Sequence, residues 1–225
     1  MSKNQCAVCC TAAEKRYGVK KAIFKKNGSY RVIFEHIQAV SDAENVDKIC
    51  REANETYYEM LKAHDDLNKM AMIHWKQCCE RAAFYFVVKK YYPDSVMEWL
   101  NEALKIYGEN AGAKLNRLLH FPGLASLFLP VMRTLSRNAF GEKGGFKNQF
   151  GCVNKDETHF DILECPYCRY LAELGCPELN PGFCKSDEYI YGNLDAIIFE
   201  RTQTLGTGGE KCDFCMRKRK AAKGK

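Results

Sequence analysis

The stretch GEKGGFKNQFGCVNKDETHFDILECPYC, residues 141–168, marks the point at which the character of the chain changes. Its glycines end the helical periodicity that precedes them. Two segments rich in β-branched and aromatic residues then follow, 146–153 and 158–164, with an Asn-Lys-Asp turn between them. A short helix is predicted from Pro166 to Leu174. The stretch therefore predicts helices before residue 141 and a small β-rich region after it.

Downstream, the pattern continues with another helical turn at 184–191 and an alternating, strand-like segment at 196–205. A glycine-rich loop joins that segment to a final strand through Cys212 and Phe214. The predicted order after residue 141 is β-β-α-α-β-β, which is typical of a small antiparallel sheet.

Upstream, apolar residues recur at three- and four-residue steps from Val46 to the proline at position 93. Ser41 and Glu44 form a capping-box pattern at the start of this region. The periodicity allows one very long helix or two helices broken near His64-Asp65-Asp66. The segment 30–37 is compatible with either a strand or a helix.

Three further helices are predicted before residue 141. The first follows Ser95 and ends at Gly108, and the others cover 111–120 and 124–138. The fold class is therefore α+β, with a helical region at 1–140, a cysteine-rich β-α-β region at 141–216 and a basic, disordered tail at 217–225. We expect the first two regions to form one compact domain.

Composition narrows the classes of function. The chain has 225 residues, 46% of them hydrophobic, which is enough for a core without disulfides. It shows no apolar run of membrane-spanning length and no secretory signal, so we expect a cytoplasmic protein with reduced thiols. The net charge of +6 equals the six basic residues at 217–225, which leaves 28 basic and 28 acidic residues elsewhere. The chain before residue 217 therefore has no net charge, and no nucleic-acid-binding motif accompanies the tail.

Cysteines are the residues most suggestive of chemistry. Seven of the thirteen lie between Cys152 and Cys215. Two C-x-x-C pairs with further thiols between them are typical of a zinc or iron-sulfur site, because thiolates bind soft metals and closely spaced ligands reach one ion. The predicted metal ligands are Cys165, Cys168, Cys176, Cys184, Cys212 and Cys215. Core filling by small cysteines and a redox or nucleophilic thiol are the alternatives.

Several polar residues lie beside these thiols in the sequence. Asp213, His159 and Asp187 are candidates for proton transfer, since each is near a candidate ligand or on the strand that leads to one. On a strand, Arg201 and Gln203 would project together, and this suits a carboxylate-bearing small molecule. Thr202 and Thr204 would share the other face.

Residues in this region carry a resemblance to a known family. The segment 160–167, the motif LAELGCPEL at 171–179, Cys184 with Asp187, and the motif RTQTL at 201–205 with Gly208 and CDF at 212–214 resemble the L-2-amino-thiazoline-4-carboxylic acid hydrolase family over about seventy residues. The resemblance implies functional positions at three cysteines, two acids and the strand motif: Cys165, Cys184, Cys212, Asp187, Asp213, Arg201, Thr202, Gln203 and Thr204. Cys168, Cys176 and Cys215 look like additions to the family pattern.

The sequence thus predicts a metal- or iron-sulfur-dependent hydrolase that opens the ring of a small sulfur- or nitrogen-containing heterocyclic carboxylate. A metal at Cys165, Cys184 and Cys212 would activate water or polarise the substrate, and Arg201 with Gln203 would grip the carboxylate. The alternative is a non-enzymatic domain that uses the cysteine site to sense a small molecule or a redox change. The amino-terminal Cys6, Cys9 and Cys10 are further thiols, and their membership of the site is left open.

Overall fold

The computed structural model describes residues 23–24 and 30–219, without the side chain of residue 152. Cys6, Cys9, Cys10 and residues 220–225 lie outside this range. Within it, seven α-helices and one four-stranded antiparallel sheet confirm the α+β class. The helices are α1 (Arg31–Val40), α2 (Ala43–Leu61), α3 (Lys69–Tyr91), α4 (Val96–Leu119), α5 (Leu124–Asn138), α6 (Pro166–Glu173) and α7 (Asn180–Tyr191). The strands are β1 (Lys147–Val153), β2 (Glu157–Glu164), β3 (Ile197–Glu200) and β4 (Cys212–Lys218).

The chain divides into two compact units, Met1–Asp66 with Lys76–Leu104, and Leu67–Trp75 with Lys105–Lys225. The regular secondary structure of the first unit, in the residues that the structure describes, is helical. Its core includes Phe84, whose ring stacks on Tyr30 at 4.4 Å between centroids and also contacts Phe24 and Phe34. Such aromatic pairs add to the free energy gained from burying their surface.

The second unit contains the sheet, in the order β1-β2-β4-β3. Buried and partly exposed residues alternate along β2 and β4, because successive side chains of a strand point to opposite faces. Phe160 and Phe214 face each other in register on the buried face, with ring centroids 5.0 Å apart. Phe199 and Met216 lie in the same core. The partly exposed face carries the charged residues.

Helix α4 passes through a glycine that the sequence predicts to end it. A Cβ added to Gly108 would lie 2.5 Å from the Cβ of Tyr189, and one added to Gly112 would lie 2.7 Å from the carbonyl oxygen of Ile190. Both glycines therefore let α4 and α7 approach closely, and the predicted stop at Gly108 is wrong because that glycine serves packing.

Among the other predicted elements, two fall on one of the alternatives that the sequence allows, and two boundaries change. The region from Val46 to residue 93 forms two helices, since α2 ends at Leu61 and a 3-10 turn at Lys62–His64 follows it. The cap of α2 is Asp42, whose side chain accepts a hydrogen bond from the Asn45 amide at 2.9 Å. The segment 30–37 is helical. Arg217 and Lys218, assigned to the tail by composition, belong to β4.

Candidate functional site

Three cysteines that are distant in sequence converge in the second unit; we name Cys165, Cys184 and Cys212 the thiol cluster. Cys165 is the N-cap of α6, Cys184 lies in α7, and Cys212 begins β4. The negative charge that Cys165 would carry as a thiolate raises the pKa of both other thiols, as expected of groups within electrostatic reach. The three thiols therefore lie within electrostatic reach of one another in the folded chain.

The short turn Leu205–Thr207 lies against the cluster. The amide of Leu205 donates a hydrogen bond to the Cys212 sulfur at 3.3 Å. A Cβ added to Gly206 would lie only 2.7 Å from the Cys184 sulfur, so a glycine is required there for the backbone to pass so close. The turn and the cluster form one packed arrangement.

Burial is the largest influence on two thiols of the cluster. It raises the pKa of Cys212 to about 12 and also raises the pKa of Cys184. At Cys184 two contacts oppose burial, because a hydrogen bond from Thr204 and the positive charge of Arg201 both lower the pKa. The charge of Arg201 lowers the pKa of Cys212 as well, so the hydroxyl donor is what distinguishes Cys184 within the cluster.

Cys165 is hydrogen-bonded to another thiol. Its S–H contacts the sulfur of Cys168 one helical turn on, and this contact, together with burial, raises the pKa of Cys165. The first C-x-x-C pair is therefore a contacting dithiol. Cys176 is fully buried, and burial raises its pKa to about 12.

The second C-x-x-C pair does not act as a unit. Cys212 and Cys215 both lie on β4, where residues three apart point to opposite faces. Cys212 is buried, whereas Cys215 lies on the other face and hydrogen-bonds Glu157 at 3.6 Å. The expectation that both thiols reach one ion fails for this reason.

His159 and Asp213 also lie on the face opposite Cys212. His159 pairs in register with Cys215, and its side chain is 41% exposed. Its Nε2 lies 3.7 Å from Asp161. The sheet thus separates both residues from the buried Cys212 side chain. Their catalytic roles stay predictions.

Asp213 has a clear structural partner set. Its carboxylate accepts hydrogen bonds from the amides of Thr202 and Gln203, each at 2.9 Å, and from the Thr202 hydroxyl. These bonds outweigh burial and lower the pKa of Asp213, so it is ionised at neutral pH. They also end β3 at Glu200, because the next amides bond a side chain instead of a strand. The strand predicted over 196–205 is therefore confirmed for Ile197–Glu200 and wrong for 201–205.

Arg201 is occupied by protein groups. Its side chain is 2% exposed and donates to Asp187 at 2.8 Å, to Glu188 at 3.2 Å and to the carbonyl of Cys184 at 2.7 Å. These contacts hold the segment after β3 against α7. Substrate binding by Arg201, Thr202, Gln203 and Thr204 stays a prediction, and so does a catalytic role for Asp187.

Two polar residues near the cluster were not found from the sequence. Asn180 lies one helical turn before Cys184, is 8% exposed, and its side-chain oxygen Oδ1 is buried without a hydrogen-bond partner. The Cβ of Asn180 lies 3.2 Å from the position that a Cβ added to Gly206 would occupy. A buried acceptor without a donor is costly, so it points to a ligand or water. A single asparagine has no sequence pattern that could have revealed this.

The second is His74, which lies 93 residues from its partner Tyr167. Its Nε2 donates to the carbonyl of Ala139 at 2.8 Å, so Nδ1 accepts from the Tyr167 hydroxyl, also at 2.8 Å. Tyr167 stands between the two thiols of the first pair and stacks on Phe183, next to Cys184. Burial lowers the pKa of His74.

Among the residues that the structure describes, no group of three or more histidine, cysteine, aspartate or glutamate side chains is arranged to hold a metal ion. The zinc or iron-sulfur centre stays a prediction, and we derive no chemical step through it. In the same residues no helix is both long and apolar enough to cross a membrane.

The fold and the site together define an α+β protein in which two thiols, those of Cys184 and Cys212, pack against a tight turn. A family model described as L-2-amino-thiazoline-4-carboxylic acid hydrolase matches residues 70–216, and the chain belongs to that family. The match begins in α3 and so extends well before the cysteine-rich region. No curated protein and no solved structure matches the chain.

Proposed function

We propose that the chain hydrolyses the ring of a small thiazoline-type carboxylate at the thiol cluster. The observation that carries the proposal is that Cys184 and Cys212 both lie against the turn Leu205–Thr207, with Cys165 within electrostatic reach, inside the segment that matches the family. Family membership supplies the class of substrate, and the cluster supplies the reactive groups.

Cys184 is the proposed reacting thiol. The Thr204 hydroxyl and the Arg201 guanidinium both favour its thiolate, as an activated nucleophile requires. Burial keeps the resting thiol protonated at neutral pH, so its proton must leave as the sulfur attacks. This proposal gives Arg201 an electrostatic role at Cys184 in addition to its ion pairs.

The chemistry is a two-stage hydrolysis. The Cys184 sulfur bonds to C2 of the ring, the bond from C2 to the ring sulfur or ring nitrogen breaks, and the thiol proton passes to the departing atom. Water then adds to C2, the bond to the Cys184 sulfur breaks, and the thiol regains a proton. One water is consumed and the cysteine is regenerated.

Asn180 is the proposed contact for the amino group of such a substrate. Its unpaired Oδ1 lies on the same face of α7 as Cys184, since residues four apart on a helix are neighbours. A substrate N–H would satisfy this acceptor. The contact would favour amino-substituted rings over rings without the amine.

The test is turnover of L-2-amino-thiazoline-4-carboxylate by purified protein, with released thiol and released amine measured separately. A free thiol reports cleavage of the ring C–S bond, and a free primary amine reports cleavage of the ring C–N bond. We expect Cys184→Ser to lower kcat by at least about 100-fold. Cys176→Ser is the matched control, because Cys176 is also buried but lacks the Thr204 and Arg201 contacts. Full activity of Cys184→Ser would refute the assignment.

Metal analysis of the same preparation addresses the metal-dependent route that the sequence predicts. One zinc or one iron-sulfur cluster per chain, with loss of activity on chelation, would favour that route over direct attack by Cys184. Tight binding of the compound without turnover would instead support the non-enzymatic, ligand-sensing alternative.

A further inference from the structure

The first C-x-x-C pair has a placement that the proposed hydrolysis does not use. β2 ends at Glu164, Cys165 caps α6, a proline occupies the first helical position, and Cys168 follows in the first turn. This strand, C-x-x-C, helix order is the arrangement of dithiol redox motifs. Two cysteines three apart at a helix start lie close enough for a disulfide without movement of the rest of the helix.

Contacts distinguish this pair from the other cysteines that the structure describes. The Cys165 thiol hydrogen-bonds the Cys168 sulfur, and both residues are partly exposed. Cys212 and Cys215 face opposite sides of the sheet, and Cys78 and Cys79 are fully buried. Cys165 and Cys168 therefore contact each other and are also partly accessible to solvent.

We propose that Cys165 and Cys168 form a redox-active dithiol, which closes to an intrachain disulfide by exchange with a low-molecular-weight disulfide such as oxidised glutathione. The Cys168 sulfur attacks one sulfur of the glutathione disulfide and releases one glutathione thiol. The Cys165 sulfur then attacks Cys168 and releases the second. The protein loses two hydrogens and two electrons, and the glutathione disulfide gains them.

Closure would remove Cys165 from the thiol cluster. A disulfide sulfur carries no proton, so Cys165 would no longer be a thiol within electrostatic reach of Cys184 and Cys212. The redox state of the pair would thereby decide whether the cluster holds three thiols or two, whatever reaction occurs there.

The sequence allows a sharp test, because trypsin separates the three carboxy-terminal cysteine pairs. The peptide 156–169 contains Cys165 and Cys168 alone, 170–185 contains Cys176 and Cys184, and 212–217 contains Cys212 and Cys215. The full chain is equilibrated without oxygen in buffers that differ in the ratio of glutathione to glutathione disulfide. It is then alkylated and digested with trypsin, and the peptide masses are measured by mass spectrometry.

We expect the peptide 156–169 to lose about 2 Da and to resist alkylation, while the peptide 212–217 keeps two alkylated thiols. In the folded chain, closure should require a glutathione ratio that differs about tenfold from the ratio for the chain in urea. Cys168→Ser should abolish closure, and Cys215→Ser should leave it unchanged. If Cys168→Ser does not fold, the comparison of peptides within the wild-type digest still decides.

Two alkylated thiols in 156–169 at every ratio would overturn the proposal, whether distance or a bound metal protects them. Closure of 156–169 at the same ratio in the folded and urea-unfolded chains would also overturn it, because the fold would then contribute nothing. Neither outcome depends on whether the chain hydrolyses a thiazoline.

Discussion

Replacement of Arg201 by alanine distinguishes a structural role from a substrate-binding role. The sequence predicts that Arg201 grips the carboxylate of a ligand, whereas the structure places its guanidinium in contact with Asp187, Glu188 and the carbonyl of Cys184. It also lies over the ring of Phe214, 5.2 Å from the centroid. Arg201→Ala would remove all of these contacts.

The expected cost follows from burial. Breaking a fully buried ion pair costs about 3–5 kcal/mol, because one charge is left without a partner. Here the Arg201 side chain is 2% exposed, but Asp187 is 32% exposed and is partly solvated once released. We therefore expect Arg201→Ala to lower the free energy of unfolding by about 3 kcal/mol, at the lower end of that range.

Urea unfolding measures this loss, and steady-state kinetics on the folded variant measures KM and kcat. Glu188→Gln is the matched control, because Glu188 is 42% exposed and also pairs with Lys185, so its loss should cost less than about 1 kcal/mol. A double-mutant cycle with Asp187→Ala should give a coupling of about 1–3 kcal/mol. An unchanged free energy of unfolding with a strongly raised KM would refute the structural role and restore the prediction from the sequence.

Three further predictions follow from the second unit. Gly206→Ala should displace the Cys184 sulfur, lower the free energy of unfolding by about 1–3 kcal/mol and lower kcat. Unfolding and turnover assays measure these effects, and wild-type values in both would contradict the close contact. His74 has a pKa below its ordinary 6.5, so it takes up a proton on unfolding, and its stabilising contribution should be lost as pH falls below about 6.5. Unfolding free energies from pH 5 to 8 should show this slope reduced in His74→Asn but kept in His120→Asn, since His120 is 64% exposed. Gly112→Ala should lower the melting temperature, because the backbone of α7 fills the space beside Gly112. An unchanged melting temperature would show that α7 moves aside without cost.

Most of the secondary structure was predictable because it depends on local patterns. The helix 124–138 and the β-β-α-α-β-β order of elements along the chain after residue 141 were predicted from periodicity and turn residues. The structure confirms both. The errors arise where a tertiary contact replaces a local preference. Gly108 packs against Tyr189 instead of ending a helix, and the amides of Thr202 and Gln203 bond Asp213 instead of a strand.

The site was predictable in part for the same reason. Residue type and spacing made the cysteines the candidate reactive groups, which stays a prediction. Motifs along the chain identified the family that the match to residues 70–216 shows. Spacing could not decide which thiols meet. A C-x-x-C pair at a helix start brings two sulfurs together, whereas the same spacing on β4 puts Cys212 and Cys215 on opposite faces.

The sequence alone therefore determined the α+β class and the chemical character of the site, since periodicity and residue type are local properties of the chain. Only the tertiary structure decided which groups share a site, because distance in space is set by how α6, α7 and β4 pack. That packing brings Cys184 and Cys212 to one turn, with Cys165 within electrostatic reach. It also surrounds the guanidinium of Arg201 with protein partners and leaves the Asn180 acceptor buried and unpaired.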